Sequence, residues 1–455
     1  MREIEEIVTS DFIKFIEEHH RDDTAALILS GKRYPSIDVK LAVTTIEARR
    51  KLLTKVPEWG ERFDLYYPSA LAAEQASSLH TALYKRQFIN GGTTIDLTGG
   101  IGIDSYYMSQ KAGRLIYIER NSDLCEATKY NFEKLGVKNI EIFNREVTED
   151  NISSVIAEIL SNSAQTEEEQ SITTIKREKF NKSTSNNNVS ANRDRVKLIY
   201  LDPARRGEND KRIYAISDCE PDITALKEHL FEFTESILVK ASPMADISSL
   251  LKELTEVSSV HILSVENECK ELLLLLTRAM SNSMDNTTCN RGDIERTTIG
   301  ICCINFVKKG GIQSFCFTHN EERSARPEYA ESIKRYLYEP NSSILKGGAF
   351  KSISCRFDIA KLEKSTHLYT SDIIIKEFPG KIFEIKEVID YSNNTIRNLN
   401  KFYPKANISV RNFPISANEL KKRADIEDGG NIQLIGTTML SNGGSIRKIV
   451  VCERL

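Results

Sequence analysis

The sequence predicts an α/β protein: a doubly wound parallel sheet, preceded by a helical segment and followed by a smaller α+β region. Three observations carry that expectation. From about residue 91, short apolar runs alternate with helical stretches, as buried parallel strands joined by crossover helices do. The first 90 residues instead repeat apolar positions at helical spacing. Beyond Thr298, strand-like runs crowd together with short helices between them. At 455 residues the chain has room for about three domains.

The elements follow in order. Ile7, Phe12, Ile13, Phe15 and Ile16 form an apolar helical stripe beside acidic residues. Ile37 to Leu53 and Ser69 to Tyr84 continue the pattern, punctuated by Pro35, Pro57 and Pro68. Thr93–Leu97 is the first strand, followed by the turn Thr98–Gly102 and a helix from Asp104 to Lys111. Leu115–Ile118, Ile140–Phe143, Lys197–Leu201 and Ile237–Val239 are the second to fifth strands. Ser122 to Leu135 is a helix capped by Gly136, and His261–Val265 with Leu272–Leu276 makes a closing hairpin. Two polar stretches, Ser161 to Asp194 and Asn282 to Arg296, read as solvated insertions without chemistry. Thr298–Phe306 is a strand and Arg326 to Leu337 a helix. Strands at Ile373–Ile375, Ile408–Val410, Ile432–Ile435 and Ile446–Cys452 then surround helices near Asn393 and Asn418. The expected domains are 1–90, 91–278 with its insertion at about 161–194, 298–345 and 346–455.

Composition excludes several classes. With 62 Lys and Arg against 65 Asp and Glu, net charge −3, the chain is not basic throughout. Residues 346–455 nevertheless carry 18 basic against 12 acidic side chains, so the tail is the positive part. The longest apolar runs fall far short of the roughly 20 residues that span a bilayer, so no membrane is expected. The start MREIEEIVTS lacks a secretory pattern. Nine cysteines, never spaced C-x-x-C, argue against a disulfide framework and against a zinc site, and point to a reducing cytoplasm.

Two motifs carry chemistry. In Ile95-Asp96-Leu97-Thr98-Gly99-Gly100-Ile101-Gly102, a strand ends in an acid and runs through glycines into a helix. Such a turn lets backbone N–H groups approach a ligand closely. Glu119 closes the next strand, where a carboxylate accepts both hydroxyls of a ribose. A dinucleotide is the competing ligand, but Ser105 stands where G-x-G-x-x-G needs its third glycine, and Asp96 suits a cationic amino-acid tail. The second motif is Leu201-Asp202-Pro203-Ala204-Arg205-Arg206. Here an apolar strand delivers Asp-Pro to the carboxyl edge of the sheet, and Pro203 holds Asp202 extended.

On these residues the chain resembles the class I S-adenosylmethionine-dependent methyltransferases, whose sheet is Rossmann-like. The resemblance covers about residues 91–278. It implies that Asp96, Thr98, Gly99, Gly100 and Gly102 hold the methionyl and ribose region, with Glu119 on the ribose. It also implies Glu146, after the third strand, for the adenine amine. Asp202, Pro203 and Arg205 take the catalytic place, while Arg206 and Lys240 line the pocket mouth for RNA phosphates. Thr98 departs from the usual first glycine, and Ala204 stands where amino-methylating enzymes carry a second proline before an aromatic residue. The segment Leu238-Val239-Lys240-Ala241-Ser242-Pro243-Met244 lacks the cysteine of carbon-5 methylation, so the expected transfer is to N or O without a covalent intermediate.

The whole chain is similar to a bacterial, Bacteroidetes-type family of methyltransferases with a C-terminal THUMP-like domain and no settled substrate. Ile95–Gly102, Asp202–Arg206, Glu266–Leu272 and Tyr336–Pro340 carry that likeness. It implies S-adenosylmethionine as cofactor, RNA as partner through the ferredoxin-like and THUMP-like tail, no metal, and methylation of an RNA base. Tyr336, Tyr338 and Tyr369 either stack on RNA or pack in the core. Two other readings stay open: a cofactor-binding module without catalysis, and a methyltransferase for a protein or small molecule.

Overall fold

The computed structural model describes residues 4–161, 196–205, 216–278, 299–308, 310–441 and 444–455. The two polar insertions lie outside the described residues, apart from the helical Ser161. Two compact units divide the chain: Met1–Val257 with Leu273–Ser283, and Ser258–Leu272 with Met284–Leu455.

In the first unit the helices come first: α1 (Ser10–His19), α2 (Val39–Lys55), α3 (Ala70–Gln75) and α4 (Leu79–Lys85). Their starts are set by side-chain caps, in which Thr9, Asp38, Ser69 and Ser78 accept from the first-turn N–H groups. The expected helix Ser69 to Tyr84 is broken into two, because Ser78 caps a new start. Phe12, Phe15, Ile16, Val43 and Ile46 form a core that takes in Ala127 and Tyr130.

The strands are β1 (Thr93–Asp96), β2 (Arg114–Glu119), β3 (Ile140–Asn144), β4 (Val196–Leu201) and β5 (Ser236–Ala241). The glycine turn leads from β1 into α5 (Ile103–Ser109), and α6 (Ser122–Lys134) follows β2. Pairing is parallel throughout, in the order β5-β4-β1-β2-β3. β1 is buried along its length, and β2 and β4 along most of theirs, which explains the unbroken apolar runs Leu115–Ile118 and Leu198–Leu201. Because β1 and β4 are neighbours, their carboxyl ends, Asp96 and Leu201, reach the same edge.

The expected hairpin forms from β6 (Val257–Val265) and β7 (Glu268–Thr277), turning at Glu266 and Asn267, both with positive φ; its part Ser258–Leu272 opens the second unit. Next come β8 (Gly300–Val307), parallel to β6, and β9 (Gly311–Thr318), antiparallel to β8. A second sheet has seven strands: β10 (Tyr336–Pro340), β11 (Ala360–Glu363), β12 (Thr366–Ser371), β13 (Gly380–Asp390), β14 (Asn407–Arg411), β15 (Ile432–Ser441) and β16 (Gly444–Arg454). Their spatial order is β11-β12-β10-β13-β16-β15-β14. Helices Asn393–Phe402 and Ala417–Ala424 cover this sheet through Ile396, Leu399 and Leu420, which pack with Leu434 and Val451.

Three expectations are corrected here. Arg326 to Leu337 is not helical: Ala330 N–H donates to Lys361 O, and the segment runs irregularly into β10. Ile373–Ile375 is not a strand. Tyr338 supplies its hydrogen bonds, donating its hydroxyl to Ile373 O at 2.6 Å and accepting from Ile375 N–H at 3.0 Å. Cysteine spacing also hid a disulfide, Cys302–Cys316, because only the β8–β9 register sets those residues opposite one another.

Candidate active site

The glycine turn is braced from inside. Asp96 is buried, and Thr98 N–H and the Ser105 hydroxyl donate to its two carboxylate oxygens at 3.0 and 2.6 Å. Ser105 therefore has a structural reason to replace the third glycine of a dinucleotide loop. Burial pushes the Asp96 carboxyl up to about 7, against the pull of those two hydrogen bonds. Gly99 is fixed by contact: a Cβ there would lie 2.0 Å from the Tyr117 ring. Gly100 is the open position, with φ at +58° and only Thr98 O, 4.0 Å away, near a built Cβ. Its N–H donates to Glu119 Oε2 at 2.8 Å, and Asn121 N–H donates to Oε1 at 2.8 Å. Gly102 N–H donates to Gly99 O at 2.9 Å and opens α5.

Thr98 joins the two motifs. Its hydroxyl accepts the Asp202 N–H at 2.6 Å, so the acceptor edge hangs on the glycine turn. Glycine at this position would leave that amide without its partner. The Asp202 carboxylate takes the Lys240 ammonium at 2.5 Å on Oδ2. Lys240 is largely buried, its side chain 13% exposed against 37% for Asp202, rather than out at a solvated rim. Pro203 follows, half-buried, and then Ala204 and Arg205 pair with Glu220 and Cys219 in a short antiparallel ladder. Arg206 lies outside the described residues.

Glu146 is not gathered with the others by any contact. It is exposed, 3.8 Å from Arg120, which also pairs with Glu220 at 3.2 Å. The residue that closes this end is Asn144, whose amide donates to the carbonyls of Glu119 and Arg120.

Sequence reasoning missed a buried network behind the turn. Lys85, fully buried on α4, donates to Asp104 Oδ1 at 3.1 Å and Ser77 Oγ at 2.9 Å. Ser77 and the Tyr200 hydroxyl each donate to Asp104 Oδ2 at 2.8 Å. Burial alone would raise the Asp104 carboxyl, but Lys85 and Lys240 with these hydroxyls hold it below its ordinary value. The signal was present in α4, where Thr81, Ala82 and Lys85 share the buried face. A lysine on such a face needs an anion, and Asp104 stands two residues beyond the last glycine.

The tail tyrosines resolve as core residues. Tyr336, Tyr338 and Tyr369 are buried, and His367 stacks on Phe350 at 3.6 Å between ring centroids. Among the described residues no group of three or more His, Cys, Asp or Glu is placed to hold a metal, and no helix is long and apolar enough to cross a membrane.

Parallel order β5-β4-β1-β2-β3, a glycine turn after β1 and an acid ending β2 define the class I methyltransferases, whose cofactor is S-adenosylmethionine. Comparison with known proteins agrees. A ferredoxin-like domain family matches residues 336–379 and a THUMP domain-like family matches residues 380–454. A candidate methyltransferase from Porphyromonas gingivalis W83, known from its crystal structure, is 32% identical, with a TM-score of 0.79 over 100% of this chain and 99% of that one. The chain belongs to that protein's family, class I methyltransferases carrying C-terminal ferredoxin-like and THUMP-like domains. An rRNA methylase from Streptococcus thermophilus is 10% identical, with a TM-score of 0.28 over 44% of this chain and 97% of its own. A candidate methyltransferase from Streptococcus mutans, solved with SAH, is 14% identical, with a TM-score of 0.26 over 43% and 95%. No curated protein matches the chain.

Proposed function

We propose that this protein transfers the methyl group of S-adenosylmethionine to RNA, at nitrogen or oxygen and without a covalent enzyme intermediate. The observation that carries the reading is the 2.6 Å hydrogen bond from Asp202 N–H to Thr98 Oγ. It ties the glycine turn to the Asp-Pro edge, so cofactor and acceptor are held in one frame. The residues fit the cofactor. The open face of Gly100 admits a ligand against the backbone, and Glu119, with two lone-pair sites taken by N–H donors, keeps acceptor capacity for ribose hydroxyls. Bound there, the cofactor supplies an electrophilic methyl on a sulfonium. Asp202 orients the acceptor and takes its proton, and Pro203 keeps Asp202 extended. The THUMP-like match and the positive charge of residues 346–455 support RNA as the partner. Arg205 is assigned to the catalytic edge beside Asp202 and Pro203, Arg206 to the RNA phosphates and Glu146 to the adenine side.

The test is transfer of labelled methyl from S-adenosylmethionine to total RNA from a strain lacking the protein, with protein and small-molecule fractions as controls. Label confined to protein or small molecules would replace RNA by another acceptor. Asp202→Ala should bind the cofactor normally in calorimetry and lose transfer by about 100-fold or more.

A further inference from the structure

We propose that the acceptor atom is a hydroxyl oxygen, the ribose 2′-hydroxyl of RNA, and that Lys240 is a catalytic residue which stabilises the developing alkoxide. This rests on the methyltransferase reading above and departs from the expectation of a base.

Two independent observations point this way. The first is the sign of the charge. Lys240 Nζ lies 2.5 Å from Asp202 Oδ2, with a side chain only 13% exposed, so once Asp202 takes a proton the ammonium charge is left uncompensated and weakly screened by water. An amine under methylation becomes positive, and a fixed ammonium at that point opposes it. A hydroxyl under methylation becomes negative as its proton leaves, and the same ammonium favours it. Asp202 Oδ1 accepts no hydrogen bond among the described residues, so it is placed to take the proton. The second observation is the missing platform. Asp202-Pro203 is followed in the sequence by Ala204 and Arg205, so no aromatic residue stands directly after the Asp-Pro pair to clamp a flipped base. A ribose needs no such clamp.

The step balances. The hydroxyl oxygen attacks the methyl carbon and a C–O bond forms. The C–S bond breaks with its electron pair passing to sulfur, which leaves as the neutral thioether. The hydroxyl proton moves to Asp202 and then to water, while Lys240 remains an ammonium throughout.

The full-length protein, methyl-labelled S-adenosylmethionine and total RNA from a strain lacking the protein test this. After alkaline hydrolysis a ribose methyl blocks cleavage, so label should appear in dinucleotides. Label in mononucleotides would mean a methylated base and would overturn the proposal while leaving the methyltransferase reading intact. No label in RNA would overturn both. Lys240→Met should keep cofactor affinity within about threefold by calorimetry and lose transfer by about 100-fold. Undiminished transfer in that variant would remove Lys240 from the chemistry. If Lys240→Met does not fold, the position of the label in wild-type reactions still decides the acceptor.

Discussion

Two lysines in different regions of this protein are sealed from solvent, and they keep different company. Lys85, 0% exposed, lies behind the glycine turn against a carboxylate and a serine hydroxyl. Lys361, 1% exposed, lies in the second unit against the carbonyls of Glu363 and Thr366, with His367 at 3.5 Å. Burial pushes the Lys361 ammonium down to about 8 despite the help of Glu363 and Glu322. The first lysine answers a buried anion that the site needs at the start of α5. The second pins a tight turn between β11 and β12. Burial alone therefore does not mark a functional lysine; the partner does.

The sharpest way to break this distinction is to remove each ammonium. Lys85→Met leaves Asp104 buried without its nearest cation, and we expect a loss of about 3–5 kcal/mol in urea denaturation. Cofactor affinity should fall with it. Lys361→Met removes the hydrogen bonds to the neutral carbonyls of Glu363 and Thr366 and leaves no buried carboxylate behind, for about 1–3 kcal/mol, with cofactor affinity unchanged. Equal losses, or a cofactor defect in the Lys361 variant, would erase the contrast.

Titration sharpens it further. Lys361 gives up its proton near 8 when folded but near 10.5 in the unfolded chain, so between those values the unfolded chain holds the extra proton. Stability of the wild type relative to Lys361→Met should therefore rise from pH 8 to pH 10. Asp96 behaves oppositely. Its folded carboxyl holds a proton up to about 7, against an ordinary 3.8, so its contribution falls as pH rises through that window. Asp96→Asn should flatten that fall in denaturation curves taken at pH 4 and pH 7. The smallest effect belongs to Thr98→Val, which removes the acceptor of the Asp202 amide without changing shape. We expect about 1 kcal/mol in stability, with a weaker transfer rate at unchanged RNA affinity.

The parallel sheet was readable because its central strands are buried on both faces. Leu115–Ile118 and Lys197–Leu201 are almost wholly apolar, and both fall within the strands observed. The glycine turn and the Asp-Pro edge were readable for the same local reason, since their residues are contiguous. What stayed hidden depends on contacts between distant segments. Lys85 and Asp104 are 19 residues apart and meet only when α4 packs beside α5. Asp202 meets Lys240 across 38 residues, a pairing that no local spacing announces. Ile373–Ile375 has strand composition, but Tyr338, 35 residues before Ile373, takes its hydrogen bonds. Glu146 was placed by analogy with a loop position, and the exposed side chain shows no contact that would hold it toward the turn.

The hydrogen bond between Thr98 and Asp202 also bears on how homologues should be compared. A relative with glycine at the position of Thr98 would bury an amide without an acceptor, unless a water or another side chain fills the gap. Substitution there should therefore be accompanied by change at the Asp-Pro edge or in the residues facing it. An alignment that treats the threonine as a worn glycine would misplace it. It is better treated as half of a pair whose other half lies 104 residues downstream.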